Sequence, residues 1–271
     1  MLLTLIIPLI ISYYPTVLVH GIGGNAQDLH QLRNVLETQG VDAYSIQIGN
    51  GKIDSIIWDA NKQCAFLNAS ITELNITREK INLIGISQGG LLCRCYVEKY
   101  SHINKAVNTL VTYGTPHMGV YIQDIRFSYF SYWKDPFHHD TYLEDNQFLV
   151  YINNEKEHSN QGQYKSNLLS LTHFLIVWSN LDAVIYPRAS SRFEFYNISL
   201  AEERKELAIV PLINSDTFIR DSLGLRTLKQ TNVMDIVQYP CLHNEFKDQN
   251  CFQRIFPNIS TPLINRTLSI L

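Results

Sequence analysis

Gly85-Ile86-Ser87-Gln88-Gly89 matches the pattern G-x-S-x-G, in which a serine lies on a sharp turn between a strand and a helix. An apolar run precedes this serine and a helical pattern follows it, as that turn requires. Small residues two positions before and after the serine let the strand and the helix approach closely. A short pattern can arise by chance, but this setting and the extra Gly90 make that less plausible. We therefore predict Ser87 as a nucleophile.

A serine hydroxyl needs a base before it can attack a carbonyl carbon. In chains that carry this turn, an acid and then a histidine follow the serine. His243 is the only histidine after His173, in the region that must deliver a base if the sheet is completed first. A surface histidine in a loop is the simpler reading, but the position between Cys241 and a predicted closing helix favours His243 as the base.

The best candidate for the acid is Asp182, which follows the predicted strand His173–Trp178 at the end where side chains converge on a site. Asp216 and Asp221 compete with it, but their surroundings resemble a solvated loop. Asp235 opens another predicted strand and so lies at the wrong end of the sheet. Asp182 would hold the imidazole in one tautomer and stabilise the imidazolium as the serine loses its proton.

Acyl transfer through a serine also needs two hydrogen-bond donors for the oxyanion. We predict the backbone N–H of Gln88 and, from the glycine-rich loop 20–24, the backbone N–H of Ile22. A glycine loop after a strand can also bind a dinucleotide. Here, however, Gly21-Ile22-Gly23 continues with Gly24, Asn25 and Ala26, so the pattern G-x-G-x-x-G fails.

Alternating strands and helices in the first 113 residues would position these groups. The predicted strands are Thr16–His20, Ala43–Ile48, Ile81–Gly85 and Val107–Tyr113, and the predicted helices are Ala26–Gln39, Ile57–Leu74 and Gln88–Tyr100. This alternation indicates βαβ units and a mostly parallel sheet with helices on both faces. Together with the serine turn, it predicts an α/β-hydrolase fold.

The alternation stops at residues 118–170, which are rich in aromatic residues, Asn and His. We predict an inserted cap there, of irregular and helical pieces. A strand at His173–Trp178, a weak one at Arg192–Tyr196, another at Asp235–Gln238 and a helix after Cys251 complete the pattern. Residues 15–271 are therefore predicted to form a single domain.

Composition excludes several functions. The chain has 271 residues, with 22 basic and 25 acidic side chains, a net charge of −3, 45% hydrophobic residues and 17% charged residues. A phosphate polyanion needs a cationic face, so a generally basic nucleic-acid binder is excluded. No apolar run approaches the roughly 20 residues of a membrane span, and the low charge argues against disorder.

The first 14 residues indicate a signal peptide, because they contain an apolar block too short to span a bilayer. A buried first strand is the alternative, but Pro8 within the block and a new strand start at Thr16 argue against it. Five Asn-x-Ser/Thr sequences, a modest excess over chance, support a secretory route. The expected glycosylation sites are Asn68, Asn75, Asn197, Asn258 and Asn265.

Five cysteines leave one thiol unpaired if the chain is secreted. Cys241 and Cys251 enclose a short loop and form the best predicted disulfide. Among Cys64, Cys93 and Cys95, one further pair and one free thiol remain, and the sequence leaves their pairing open.

Several segments together resemble the palmitoyl-protein thioesterase family, and most closely its second, lysosomal branch, which prefers acyl-CoA-like thioesters. The similar segments are His20-Gly21-Ile22-Gly23, Ile86-Ser87-Gln88-Gly89-Gly90-Leu91, Tyr132-Trp133-Lys134-Asp135-Pro136, Asp182 with Pro187, Phe193-Glu194-Phe195-Tyr196 and Asp221-Ser222-Leu223-Gly224-Leu225. The resemblance implies a lysosomal hydrolase of long-chain acyl thioesters. It places the family's triad on Ser87, Asp182 and His243.

The predicted reaction is hydrolysis of a long-chain thioester, of an S-acylated protein or of acyl-CoA, through an acyl-serine and without a metal or organic cofactor. An oxygen-ester lipase on the same residues is one alternative. A catalytically silent lipid-binding protein is another, although an intact triad argues against it. His138-His139-Asp140 is a weak metal candidate, because adjacent histidines rarely bind one ion well and zinc-type spacing is absent.

Overall fold

Strands and helices alternate as predicted within residues 12–122, 131–260 and 264–265, which are the residues that the computed structural model describes. The strands are β1 (Ser12–Tyr13), β2 (Thr16–Val19), β3 (Ala43–Ile46), β4 (Lys80–Ile86), β5 (Ala106–Tyr113), β6 (His173–Trp178), β7 (Phe195–Tyr196), β8 (Ile209–Val210), β9 (Met234–Gln238) and β10 (Ile264–Asn265). The α-helices are α1 (His30–Thr38), α2 (Asp54–Ile57), α3 (Ala60–Glu73), α4 (Gln88–Tyr100), α5 (His139–Asp145), α6 (Leu149–Ile152), α7 (Gln161–Leu169), α8 (Ile198–Arg204), α9 (Asp216–Ile219), α10 (Leu225–Gln230) and α11 (Gln249–Ser260).

The central sheet has six strands in the order β3-β2-β4-β5-β6-β9, and every neighbouring pair is parallel. The predicted parallel sheet is therefore confirmed. Because all six strands run in one direction, the residues that follow them emerge at one edge. The segments after β2, β4, β5, β6 and β9 therefore meet there, and the predicted site residues lie in these segments.

Alternate residues of the buried strands face opposite sides of the sheet, as the period of two requires. Phe174 and Ile176 of β6 belong to the hydrophobic cluster that contains residues of α3, α4 and α7. Leu175 and Val177 belong to the other cluster, which contains residues of α1 and α11. Helices therefore cover both faces, which explains why these strands are continuously apolar.

One predicted helix begins three residues later than the periodicity indicates. The periodicity predicts a helix over Ile57–Leu74, but the structure has α2 ending at Ile57 and α3 beginning at Ala60. Asp59 lies between them in an extended conformation, and its Oδ1 accepts a hydrogen bond from the N–H of Lys62 at 3.0 Å. An N-cap of this kind starts a new helix, because it satisfies a donor that the first turn leaves unpaired.

The predicted cap segment, residues 118–170, contains α5, α6 and α7 and no strand longer than an isolated bridge among its described residues, which exclude 123–130. Of the weak strand predicted at Arg192–Tyr196, only β7 forms, and it pairs antiparallel with β8 outside the central sheet. The division of the chain into a signal peptide and one capped domain stays a prediction. Residues 1–11 lie outside the described residues.

Two disulfides are present. Cys241–Cys251 confirms the predicted pair, and Cys64–Cys95 settles the pairing that the sequence leaves open. Cys93 is a free, buried thiol, and burial raises its pKa.

Helix α4 also buries a contact between an arginine and a glutamic acid side chain. The side chains of Arg94 and Glu98 are fully buried, with 3.6 Å between Nε and Oε1. Arg94 Nη2 donates a hydrogen bond to Asn153 Oδ1 at 2.7 Å. Burial raises the pKa of Glu98 to about 8, although the Arg94 charge acts in the opposite direction.

Candidate active site

Ser87 occupies the turn between β4 and α4 that the pattern predicts. Its φ of +55° is rare for a residue with a side chain. The N–H of Ser87 donates to the carbonyl of Tyr113 at 2.7 Å, and the N–H of Gly90 donates to the carbonyl of Ser87 at 3.0 Å. These bonds hold a strained backbone at the edge of the sheet, as expected of a nucleophile on such a turn.

The glycines on either side of Ser87 are required by close packing. A Cβ built at Gly85 would lie 2.5 Å from the backbone of Gly89, and one built at Gly89 would lie 2.5 Å from the carbonyl oxygen of His20. The start of α4 therefore packs directly on β4 and on the loop after β2. This packing brings Gln88 next to the glycine-rich loop.

The structure brings Asp182 and His243 into direct contact. His243 Nδ1 lies 2.8 Å from Asp182 Oδ2, and the two residues are 9% and 1% exposed. The other carboxylate oxygen, Oδ1, accepts the N–H groups of Val184 and Ile185 at 2.9 and 3.0 Å. With Nδ1 engaged by the carboxylate, Nε2 is the imidazole nitrogen available to a serine.

Gly114 lies against this pair, and sequence reasoning missed it. It follows β5 with a φ of +51°, and its N–H donates to the carbonyl of Val177 at 2.9 Å. A Cβ at this position would lie 3.0 Å from Asp182 Oδ2 and 3.1 Å from His243 Nδ1. The contact between the carboxylate and the imidazole therefore leaves no room for a side chain at residue 114.

A cavity of about 240 Å³ opens beside these residues, and its walls include Ser87, His243, Ile22 and Lys247. No hydrogen bond joins Ser87 Oγ to His243 in the described residues. Such bonds are often long without substrate and tighten in the complex. The cavity thus collects the predicted nucleophile, the predicted base and the glycine-rich loop around one space.

His20 fixes the direction of that loop. Its Nε2 accepts a hydrogen bond from the N–H of Ile48 at 3.1 Å, so Nδ1 carries the proton and donates to the carbonyl of Gly21 at 2.8 Å. The carbonyl of Gly21 and the N–H of Ile22 belong to one planar peptide, so orienting one orients the other. Burial lowers the pKa of His20, which favours the neutral imidazole that this arrangement needs.

The competing acids lie elsewhere. Asp216 and Asp235 are exposed. The expectation that Asp221 lies in a solvated loop is wrong, because the residue is buried. Its carboxylate accepts a hydrogen bond from the Thr227 hydroxyl and forms an ion pair with Lys165. Burial alone would raise the pKa of Asp221, but these hydrogen bonds outweigh it and lower the pKa. The carboxylate of Asp221 thus binds the first turn of α10.

The predicted glycosylation sites occupy different settings. Asn75 is exposed in a turn after α3, Asn68 accepts a hydrogen bond from Asn104, and Asn197 Oδ1 caps α8. Asn258 lies in α11 and Asn265 in β10. Modification of these residues stays a prediction.

In the segment His138-His139-Asp140, the weak metal candidate, His138 Nδ1 lies at hydrogen-bond distance, 3.0 Å, from Asp135 Oδ2. Within the described part of the chain, no helix combines the length and apolar character needed to cross a membrane.

The family model and the relatives that match this sequence are named as thioesterases. The sequence model of a family described as palmitoyl protein thioesterase matches residues 15–126 and 121–243. Palmitoyl-protein thioesterase 3 of Dictyostelium discoideum is 30% identical, with 97% of this chain and 96% of the relative covered. Lysosomal thioesterase PPT2 of Homo sapiens is 29% identical, with 80% and 77% covered.

Among solved structures, Est1E of Butyrivibrio proteoclasticus with bound ferulic acid is similar in fold, with a TM-score of 0.53, 13% identity, and 92% of this chain and 89% of that chain covered. Such low identity speaks for the fold alone. Together with the parallel sheet and the serine turn, it confirms the predicted α/β-hydrolase fold. The family model covers well over half of the sequence, and the segments it matches include Ser87, Asp182 and His243. The chain belongs to the palmitoyl protein thioesterase family.

Proposed function

We propose that this protein hydrolyses long-chain fatty acyl thioesters, with Ser87 as the nucleophile, His243 as the general base and Asp182 as the partner of His243. The observation that carries the proposal is the 2.8 Å contact between His243 Nδ1 and Asp182 Oδ2, beside the cavity that also contains Ser87. This contact would keep Nε2 of His243 unprotonated and directed at the serine. Family membership supports a thioester as the substrate.

In the first half of the proposed reaction, His243 Nε2 takes the proton of Ser87 Oγ, and Oγ attacks the thioester carbonyl carbon. The N–H groups of Ile22 and Gln88 donate hydrogen bonds to the resulting oxyanion. The carbon–sulfur bond then breaks, and the imidazolium gives its proton to the departing sulfur. In the second half, His243 deprotonates a water that attacks the acyl-serine. The fatty acid leaves, and Ser87 recovers its proton.

Exposed apolar side chains near the cavity support an acyl substrate. Val184 lines the cavity, Leu242 precedes His243, and the side chain of Ile56 lies beside Gly23. All three of these side chains are exposed. A fatty acyl chain that covered them would gain about 0.8 kcal/mol per buried methylene.

The sequence leaves two roles open for the aromatic residues of 121–151, an apolar groove for the acyl chain and ordinary packing of the cap. Tyr121, Tyr132, Tyr142 and Phe148 are buried in the hydrophobic core, as ordinary packing requires. Residues 123–130 lie outside the described residues. Among the described side chains, the aliphatic residues around the cavity are therefore the better candidates for acyl contact.

The proposed substrates are S-acylated proteins or peptides and acyl-CoA, and the proposed location is the lysosome or the secretory route that leads to it. The relatives named lysosomal thioesterase, the predicted signal peptide and the five glycosylation sequences support this location. Production in eukaryotic cells followed by endoglycosidase treatment tests the location. A loss of mass on treatment is expected, and a chain of unmodified mass in the cytosol would contradict the proposal.

The reaction is tested with purified wild type and Ser87→Ala, on palmitoyl thioester and palmitoyl oxygen-ester substrates that otherwise match. We expect the wild type to prefer the thioester, the mutant to lose turnover, and a fluorophosphonate probe to label the wild type alone. Undiminished turnover by the mutant would refute the mechanism. A large preference for the oxygen ester would instead indicate a lipase. Absence of both turnover and labelling in the wild type would indicate a lipid-binding protein.

A further inference from the structure

We propose that Ser55 is a positioning residue that holds both sides of the oxyanion hole through one buried hydrogen-bond network with Gln63, Gln88 and Tyr132. None of these side chains takes part in the proton transfers described above. The inference rests on the proposed function, because it assigns the N–H groups of Ile22 and Gln88 to the oxyanion.

The hydroxyl of Ser55 holds the glycine-rich loop. Its Oγ accepts the N–H of Gly23 at 2.9 Å and donates its own proton to the carbonyl of Lys52 at 3.0 Å. Since the proton is used by Lys52, the oxygen lone pairs face the loop. Ser55 is 1% exposed, so water cannot easily replace this bond. The bond fixes the residue directly after Ile22.

The backbone carbonyl of Ser55 holds Gln88, on the other side of the proposed oxyanion hole. It accepts Gln88 Nε2 at 2.9 Å and Gln63 Nε2 at 3.2 Å. Gln88 Nε2 also donates to Gln63 Oε1 at 2.8 Å. Gln88 therefore begins α4 with its amide group anchored to the residue that anchors the loop.

Tyr132 completes the network from the cap segment. Its hydroxyl donates to Gln88 Oε1 at 2.9 Å, so every polar atom of the Gln88 side chain has a partner. Tyr132 also opens the segment Tyr132–Pro136, which contributes no proposed catalytic group. The network gives that segment a role, because it connects the cap to the residue after the nucleophile.

The break between α2 and α3 makes this geometry possible. In a continuous helix through Trp58 and Asp59, the carbonyl of Ser55 would accept the N–H of Asp59 instead of the amide groups of Gln63 and Gln88. Gln63 Nε2 donates to the carbonyl of Trp58 at 2.7 Å and so fixes the break itself. The two proposed oxyanion donors come from distant parts of the chain, and both are thereby positioned by the same short helix, α2. Preorganised donors stabilise charge best when they cannot relax away from it.

The test uses Ser55→Ala, which frees the loop, and Tyr132→Phe, which removes only the hydroxyl that reaches Gln88. Loss of a whole oxyanion donor costs about 100- to 1,000-fold in kcat, so we expect loosening of a donor to cost about 10-fold, with little change in KM. Affinity for an acyl trifluoromethyl ketone, which forms a tetrahedral adduct, should fall in parallel. Affinity for the free fatty acid should not. Ser55→Thr, which keeps the hydroxyl, should recover most of the activity.

Ser101→Ala is the matched control, because its buried hydroxyl donates to the carbonyl of Val97 at the far end of α4. It should leave kcat and ketone affinity unchanged. If the wild type hydrolyses thioesters and both Ser55→Ala and Tyr132→Phe keep its kcat and ketone affinity, the positioning role is refuted alone. Equal losses of ketone and fatty-acid affinity would also refute it, by indicating a general structural defect. A wild type without acyl hydrolysis would overturn the proposed function and this inference together.

Discussion

Gly114→Ala tests the proposed pairing of Asp182 and His243 without changing either residue. The added methyl group would lie 3.0 Å from Asp182 Oδ2, 3.1 Å from His243 Nδ1 and 2.9 Å from Phe246. Carbon and heteroatoms in ordinary contact are about 3.5 Å apart or more, so each neighbour must move by roughly half an ångström. The added methyl group would push the Asp182 carboxylate and the His243 imidazole away from the backbone of residue 114.

Two costs follow, and they can be measured separately. Alanine at a φ of +51° costs about 1–2 kcal/mol of folding stability, which in a chain of this size lowers Tm by roughly 2–8 °C. The displacement acts on catalysis. Misplacing reacting groups by 1 Å can cost about 100-fold, so a shift of half that size is expected to lower kcat about 10-fold.

Gly40→Ala is the control, because Gly40 has a φ of +80° and a Cβ there meets nothing within 4 Å. It should show a similar fall in Tm, measured by circular dichroism, and an unchanged kcat on a palmitoyl thioester well below Tm. If Gly114→Ala matched Gly40→Ala in kcat as well as in Tm, the methyl group would be harmless to the pair, and the reasoning would be refuted.

Three further predictions follow from the same structure. Asp182→Asn should lower kcat by about 10⁴-fold with little change in Tm, because the amide favours the wrong imidazole tautomer, and a small effect would argue against the proposed partner of the base. Replacing Cys241 and Cys251 together by alanine should cost about 2–3 kcal/mol in urea unfolding, since their cross-link closes a short loop around the base, and an unchanged midpoint would contradict this. The pKa of Glu98, raised to about 8 by burial, means that the folded chain retains a proton that the unfolded chain loses above about pH 4.5. Stability should therefore fall as the pH rises from about 5 to 8, Glu98→Gln should flatten that fall, and parallel Tm profiles for both proteins would exclude this cause.

Much of the site could be predicted because its signals are local. The serine turn needs only a strand, small neighbours and a helix, and all of these lie within the continuous segment Lys80–Tyr100. The positions of Asp182 and His243 follow from chain order and from the rule that parallel strands end at one edge. Their contact in the structure agrees with that logic, while their roles in the reaction remain a proposal.

The features that sequence reasoning missed depend on tertiary neighbours. In the sequence, nothing distinguishes Gly114 from the other glycines. The need for glycine there depends on contacts with residues that follow β6 and β9. Burial of Asp221 could not be predicted, because polar neighbours in sequence resemble a solvated loop whether or not Thr227 and Lys165 fold over the carboxylate. The break before α3 had a local signal in Asp59, a good N-cap, but the surrounding apolar period concealed it.

The order of the parallel strands has a consequence for biosynthesis. Adjacent strands β6 and β9 are separated by more than 50 residues, and the groups proposed for catalysis come from residues 87, 182 and 243. The serine turn can be synthesised and folded early, but the proposed base can join it only after residue 243 has left the ribosome. We therefore expect nascent and truncated chains to contain the serine without the acyl-transfer activity. Reaction with an active-site probe would then report that a molecule has finished folding.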